Sequence, residues 1–192
     1  MFTNEIEKVE LRAFALCKKL KTIDFIEKIK CIDNEAFWGT AVEELPMMNN
    51  LEYVGNNVFL STPWEEKQQG DFVILNNTLQ LYKGEKNIVH IPKGIVAIRQ
   101  AFYYKNNQDY PVQVKEIFIP DSVQFLSAEA FYFQKDLTVY IPDSVTQIGD
   151  EYGEEAYYDI EGNMKIVTTS GSYAEEYAQK YGIEYEIVDS WD

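Results

Sequence analysis

The segment IPDSVTQIGD (residues 141–150) repeats a phrase that the chain has already used as IPDSVQFLSA (residues 119–128). Self-similarity at a fixed period indicates stacked units, because one unit cannot bury its apolar face alone. Both copies place apolar residues four and seven positions after the first Ile, and the earlier copy adds an Ala-Phe pair: Val123, Leu126, Ala130 and Phe131, then Val145 and Ile148. The spacing therefore defines a repeat.

Four further segments keep this spacing although few of their letters agree, and the one that starts at Ile91 lacks one residue before its Ala. Their apolar positions are Ile91, Ile95, Ile98, Ala101 and Phe102; Met47, Leu51, Val54, Val58 and Phe59; Phe25, Ile29, Ile32, Ala36 and Phe37; and Phe2, Ile6, Val9, Ala13 and Phe14. The six starts at 2, 25, 47, 91, 119 and 141 are separated by 23, 22, 44, 28 and 22 residues. A unit of this length is typical of leucine-rich repeats, in which each copy contributes a β-strand and a return segment.

A short alternating run precedes the start of each copy and predicts the strand, since alternation at period 2 places one face inward. The runs are Leu20, Ile23 and Phe25; Val42, Leu45 and Met47; Ile117 and Ile119; and Val139 and Ile141. Pro92, Pro120 and Pro142 follow the last strand residue, where a missing N–H ends the ladder. We expect a repeat solenoid that is mainly β with short return segments.

The phrase IPDSV, the Ala-Phe pair and CKKLKTI (residues 17–23) resemble the BspA-type leucine-rich repeats of bacteria and some protists. The C-terminal SGSYAEEYAQKYGIEYEIV (residues 170–188) resembles the helix-and-strand tail that often closes such arrays. The resemblance implies a right-handed leucine-rich-repeat array with a C-terminal helix-strand cap. It also implies recognition of proteins or surfaces, generally without catalytic residues.

We expect one domain over residues 1–192, with repeats at about 2–60 and 88–168. A hairpin insert at about 64–87 accounts for the doubled step, because FVIL and TLQLY flank Asn76 and Asn77, which tolerate positive φ. The insert is interpreted as an idiosyncratic coil, with a projecting contact edge as the alternative. In the cap, at about 170–190, Ser172, Glu175 and Gly182 predict the ends of a helix.

Five Phe residues, each at the same phase of its copy, are expected to stack as one buried ladder: Phe14, Phe37, Phe59, Phe102 and Phe131. The sixth copy has Tyr152 and Gly153 where the Ala-Phe pair would stand. We therefore expect regular stacking to degrade after Ile148.

The chain carries 17 basic and 32 acidic residues, a formal net charge of −15. This argues against nucleic acid as a partner, whose phosphates require a basic surface, and against an anionic membrane. It is interpreted as a solubility feature, with attraction of a basic partner as the alternative. Without an apolar run near eighteen residues or a signal peptide, we expect no membrane insertion and a cytoplasmic protein, or a cell-surface or secreted one if the sequence belongs to a longer chain.

Catalytic and metal-binding patterns are weak. Cys17 and Cys31 are interpreted as packing residues, and His90 is the sole histidine, so a zinc site is not expected. Nucleophile and phosphate-binding motifs are also missing, so we predict a non-enzyme without cofactor or metal. The acidic segment 150–163 is interpreted as a solvated loop, with weak calcium binding as the alternative.

The outward strand face is the predicted binding surface, because stacked strands present their outward side chains as rows. One row contains Asp24, Pro46, His90, Phe118 and Tyr140, and another Thr22, Glu44, Glu116 and Thr138. We expect Phe118, Tyr140, His90 and Glu116 to contact a protein partner, with a surface glycan as an alternative ligand. The competing interpretation is that the aromatics only stabilise the sheet. A structural spacer within a larger surface protein, and third a hydrolase, are the alternative functions.

Overall fold

The computed structural model describes residues 6–24, 28–102, 113–132, 134–149 and 163–190. The chain divides into two compact units, an N-terminal unit of residues 1–76 and a C-terminal unit of residues 77–192. Both are built mainly from short strands in parallel pairs, as predicted for a repeat fold.

In the N-terminal unit, three two-residue strands form a parallel sheet in the order β1-β2-β3: β1 (Lys8–Val9), β2 (Cys31–Ile32) and β3 (Tyr53–Val54). Val9, Ile32 and Val54 are in register and buried. Helix α1 (Pro63–Lys67) follows, and the Thr62 hydroxyl accepts the Glu65 N–H as its N-cap. Strand β4 (Phe72–Leu75) completes the unit.

The predicted Phe ladder is confirmed in this unit. The rings of Phe14 and Phe37 lie 5.3 Å apart and 3° from parallel, and those of Phe37 and Phe59 lie 5.1 Å apart and 2° from parallel. Phe37 and Phe59 are buried, whereas Phe14 is half-buried. Backbone hydrogen bonds recur at the same position of successive copies: the N–H of Phe14 donates to the carbonyl of Ala36, and that of Phe37 donates to the carbonyl of Val58.

The turns of the N-terminal unit repeat as regularly as its core. Arg12, Glu35 and Asn57 have φ between 54° and 55°, and Leu16, Gly39 and Ser61 have φ between 58° and 65°. Positive φ is unfavourable for most side chains, so its recurrence at equal spacing shows that the backbone path itself is repeated. Buried hydroxyls of Thr40 and Thr62 then donate to the carbonyls of Phe37 and Phe59.

The strands predicted at Leu20–Phe25 and Val42–Met47 are wrong for the described residues, because residues 20–24 and 41–47 contain no strand. Pro46 lies inside the second run rather than after it, so this run lacks a backbone donor for a strand ladder. Asp24 and Pro46 are therefore not on a strand row. Met47 is 76% exposed, and the neighbouring Met48 packs on the core instead.

The C-terminal unit contains two parallel sheets. The first has the order β6-β8-β10-β12-β13 and the second includes β5-β7-β9-β11. Their strands are β5 (Thr78–Tyr82), β6 (Ile88–His90), β7 (Ala97–Ile98), β8 (Glu116–Phe118), β9 (Phe125–Ser127), β10 (Leu137–Tyr140), β11 (Gln147–Gly149), β12 (Met164–Thr169) and β13 (Glu184–Val188), and helix α2 (Tyr173–Tyr181) connects the last two.

The strands predicted before Pro92, Pro120 and Pro142 are confirmed as β6, β8 and β10. The return segments differ from expectation, since each contains a second strand, β7, β9 or β11. These strands pair in register through Ile98, Leu126 and Ile148, which are the repeat positions predicted to be apolar. Together with Val89, Ile117 and Val139 from the first sheet, these side chains form the buried core of the unit.

The C-terminal unit has an aromatic ladder of its own, from Tyr82 to Phe102 to Phe131, with ring centroids 5.3 and 5.7 Å apart in tilted geometry. Helix α2 has the predicted ends: the Ser172 hydroxyl accepts the Glu175 N–H, and Gly182 is left-handed at φ 67°. Asn76 and Asn77, between β4 and β5, have φ of 48° and 58°, which confirms the predicted turn. Phe2, Phe25, Tyr152, Gly153 and acidic residues 150–162 lie outside the described residues.

Candidate functional site

The outward face of the first sheet brings His90, Phe118 and Tyr140 into one row. These residues are in register on β6, β8 and β10. The preceding residue on each strand, Val89, Ile117 or Val139, is at most 2% exposed. Because successive side chains of a strand point to opposite faces, burial of these aliphatics directs the aromatics away from the core.

The three rings form a continuous stack. The centroids of His90 and Phe118 lie 4.4 Å apart with 12° between the planes, and those of Phe118 and Tyr140 lie 4.0 Å apart with 10°. Phe118 and Tyr140 are half-buried, and His90 is exposed. The ring faces cover one another, so the stack presents mainly ring edges to solvent.

Glu116 fixes one end of the stack. Its Oε2 accepts a hydrogen bond of 3.1 Å from the Tyr140 hydroxyl, across neighbouring strands. Burial, and then the hydrogen bond to Glu116 and its negative charge, raise the pKa of Tyr140 above its ordinary value of 10.0. Tyr140 therefore stays a neutral donor at physiological pH, and all four predicted contact residues lie together.

Two further strands extend this face in a way that the sequence did not indicate. Val167 on β12 is the register partner of Tyr140 and is only 4% exposed. Glu186 on β13 is in turn the register partner of Val167. Lys165 lies on the same face and forms an ion pair of 2.5 Å with Glu186, which raises the pKa of Lys165. The alternation within MKIVTT and EYEIV was the available signal, but neither segment carries the IPDSV phrase.

The face therefore has an apolar stripe bordered by charge. Lys165, Glu184 and Glu186 lie on the β12–β13 side of the aromatic row, and Glu116 lies two residues before Phe118 on β8. The face thus carries three carboxylates and one ammonium group. Such a surface is suited to contact with a partner that supplies apolar groups and positive charge. It offers no arrangement of nucleophile, base and oriented acid among the described side chains.

A family model described as "BspA type Leucine rich repeat region" matches residues 1–68 and 82–160 in six copies. The chain belongs to the BspA-type leucine-rich repeat family. No curated protein and no solved structure matches the chain in the corresponding comparisons. The matched ranges leave out residues 69–81, which contain β4 and most of β5, and residues 161–192, which contain β12, α2 and β13.

Leucine-rich repeats of this family are generally non-catalytic. Within residues 6–24, 28–102, 113–132, 134–149 and 163–190, no three His, Cys, Asp or Glu side chains are grouped as metal ligands. In the same part of the chain, no helix has the length and apolar content needed to cross a bilayer. Cys17 is exposed and Cys31 is half-buried.

Proposed function

We propose that this BspA-type repeat chain is a non-catalytic recognition module that binds a protein through His90, Phe118, Tyr140 and Glu116. The observation that carries the proposal is the stack of three rings on an outward strand face, anchored by the Tyr140–Glu116 hydrogen bond. Aromatic side chains dominate many protein interfaces because they bury a large area for few rotatable bonds.

The order of the stack supports binding as well as stability. Side chains that are already held in one rotamer lose little conformational entropy when a partner covers them. Ring stacking alone accounts for about 0.5–1.5 kcal/mol per pair, and this is the energy that the competing sheet-stabilising role would use. The two roles differ in whether another molecule covers the exposed edges.

A partner with a basic region would be complementary in charge to the carboxylates beside the stack. The chain carries a net charge of −15, and the carboxylates of Glu116, Glu184 and Glu186 lie on this face. Attraction between a basic partner and this surface accelerates association and is weakened by salt. A surface glycan is the alternative ligand, because sugar rings also pack against aromatic side chains. A structural spacer within a larger surface protein would not require this face at all.

We infer further that the array is right-handed and that α2 with β13 closes its end. Ala174, Tyr177 and Ala178 of α2 are buried, and the helix packs on β11, β12 and β13. About 98% of crossovers between parallel strands of one sheet are right-handed, which favours this hand for the connection from β8 to β10.

The test replaces the two central rings by serine in one variant, Phe118→Ser with Tyr140→Ser. Proteins captured from native lysate by the wild type are compared with those captured by this variant, and the affinity of the purified partner is then measured. Binding should weaken by at least about 2 kcal/mol if the rings are hot spots. The fold should persist, with a stability loss of about 1–3 kcal/mol from two stacked pairs.

Tyr53→Ser is the matched control, because Tyr53 is a half-buried aromatic on β3, outside this face. It should leave the captured proteins and the affinity unchanged. If the double variant keeps full affinity while substitutions within Phe72–Tyr82 reduce it, the binding site lies on that segment and the proposed face is wrong. If neither region matters, the spacer function is favoured.

A further inference from the structure

We propose that the exposed edge of β13 is a second docking site, which binds an extended segment of a partner protein by strand addition. β13 pairs with β12 over five residues, from Lys165 opposite Glu184 to Thr169 opposite Val188. It is the last strand in the order of its sheet, and no other strand of the described residues lies on its far side. Backbone groups on that side are a template for a further strand.

The exposure of β13 distinguishes it from the strands inside the sheet. Four of its five residues are exposed and the fifth is half-buried, whereas β8 and β10 alternate between buried and half-buried residues. It also lacks the proline that many proteins use to protect an edge. The edge is therefore accessible along its whole length within the described part of the chain.

The side chains of β13 alternate in chemical character. Glu184 and Glu186 project to the face that carries Lys165, and Tyr185 and Ile187 project to the opposite face. Tyr185 is 39% exposed and Ile187 is 40% exposed. The Tyr185 hydroxyl accepts a hydrogen bond of 3.1 Å from Gln179 on α2, so this apolar pair lies beside the helix.

The negative charge of Glu184 and Glu186 favours a basic segment at the edge of β13. An added strand places its side chains directly beside those of β13, at about 4.5–5.5 Å between Cβ atoms. A segment that alternates basic and apolar residues would place its basic groups beside Glu184 and Glu186 and its apolar groups beside Tyr185 and Ile187. A second copy of this chain is disfavoured, because pairing of two β13 edges brings glutamates of both copies together.

This inference does not rest on the proposed function, because it uses a backbone edge rather than the aromatic stack. The probe is a capped eight-residue peptide of alternating lysine and valine, labelled for fluorescence anisotropy. We expect it to bind the full chain and to slow hydrogen exchange of β13 amides. The same peptide with glutamate in place of lysine should bind at least tenfold more weakly.

Two controls separate strand addition from general attraction between opposite charges. A lysine–valine peptide with alternate backbone nitrogens methylated on its pairing edge should lose binding, because it cannot donate hydrogen bonds to β13. The variant Glu184→Gln with Glu186→Gln should weaken binding about three- to tenfold, as expected for two exposed charge pairs. The variant Glu52→Gln with Glu176→Gln makes the same change in net charge at exposed positions elsewhere and should bind like the wild type.

Phe118→Ser with Tyr140→Ser should also bind the peptide normally, so failure of the aromatic site and failure of the edge site give different results. The proposal is overturned if the methylated peptide binds as well as its parent, or if both pairs of Glu→Gln changes weaken binding equally. A wild-type dimer that dissociates on substitution of Glu184 or Glu186 would also overturn it, since the edge would then be occupied by a second copy.

Discussion

The N-terminal and C-terminal units use one repeat with different numbers of strands. In the N-terminal unit each described copy contributes one two-residue strand, and the Phe rings stack within 3° of parallel. In the C-terminal unit most copies contribute two strands, and the inner aromatics are tilted by 34° and 45°. The outward stack of His90, Phe118 and Tyr140 forms on the first sheet of the C-terminal unit, on strands β6, β8 and β10.

This difference indicates that the repeat core and the outward aromatic face have separate causes. The apolar positions around Ile32, Val54 and Phe37 stack although the described residues 20–24 and 41–47 before them contain no strand. The strands β6, β8 and β10 form where β-branched and aromatic residues precede a Pro that ends the run, as in IVHIP, EIFIP and VYIP. Copies can therefore keep the core while they gain or lose an outward face.

The largest expected effect is at the centre of the N-terminal ladder. Phe37→Ala should lower the free energy of unfolding by about 3–5 kcal/mol, because Phe37 is fully buried and stacks on both sides. Phe14→Ala should have a clearly smaller effect, since Phe14 is only half-buried and its truncation removes less buried apolar area. Guanidinium unfolding of both variants measures the difference. Equal losses would contradict the expected dependence of the effect on how deeply each ring is buried.

A smaller change, an increase in the free energy of unfolding, is expected for a substitution in the second sheet of the C-terminal unit. Gln80 on β5 is 7% exposed, and neither end of its amide has a hydrogen-bond partner among the described residues. Gln80→Met should raise the free energy of unfolding by about 1–3 kcal/mol, because the buried amide no longer has to lose its water.

Gln147→Met on β11 is the matched control, because Gln147 is half-buried in the same sheet. It should change the free energy of unfolding by no more than about 0.5 kcal/mol. Both variants are compared with wild type by denaturant titration. A destabilised Gln80→Met variant would show that the amide is hydrogen-bonded in the folded protein.

The smallest expected effect concerns the outward stack and depends on pH. Tyr140→Phe removes the hydrogen bond to Glu116 and should lower the free energy of unfolding by about 0.5–1.5 kcal/mol at pH 8. Because folding raises the pKa of Tyr140 above 10.0, its contribution is complete below that pH and is lost as the pH rises through the folded-state pKa. The difference between wild type and variant should therefore shrink above about pH 10.

Unfolding titrations from pH 8 to 11 follow this difference. Glu116→Gln keeps an acceptor but removes the charge that disfavours ionised Tyr140, so its alkaline loss should be smaller than that of the wild type. A difference between wild type and Tyr140→Phe that stays constant across this range would contradict the assigned role of the Tyr140–Glu116 bond.

Most of the repeat core was predictable because buried positions must be apolar, and they therefore recur at a fixed spacing in the sequence. Ile32, Val54, Ile98, Leu126 and Ile148 occupy the expected phase and are buried. The ends of α2 were equally predictable, since Ser172 and Gly182 cap the helix through hydrogen bonds and backbone angles that involve only nearby residues. The outward row of strand residues was predicted less accurately, because the alternation of apolar residues in 42–47 did not reveal that Pro46 prevents a strand there.

The period, the buried positions and the local turns can be read from the sequence, since each depends on residues close together in the chain. Three features arise only in the folded molecule: the face-to-face stack of His90, Phe118 and Tyr140, the hydrogen bond from Tyr140 to Glu116, and the exposed edge of β13. These features depend on the register between strands whose paired residues lie 19 to 28 positions apart along the chain. Register is set when all the copies pack together, because each strand is aligned by the burial of its neighbours as well as its own.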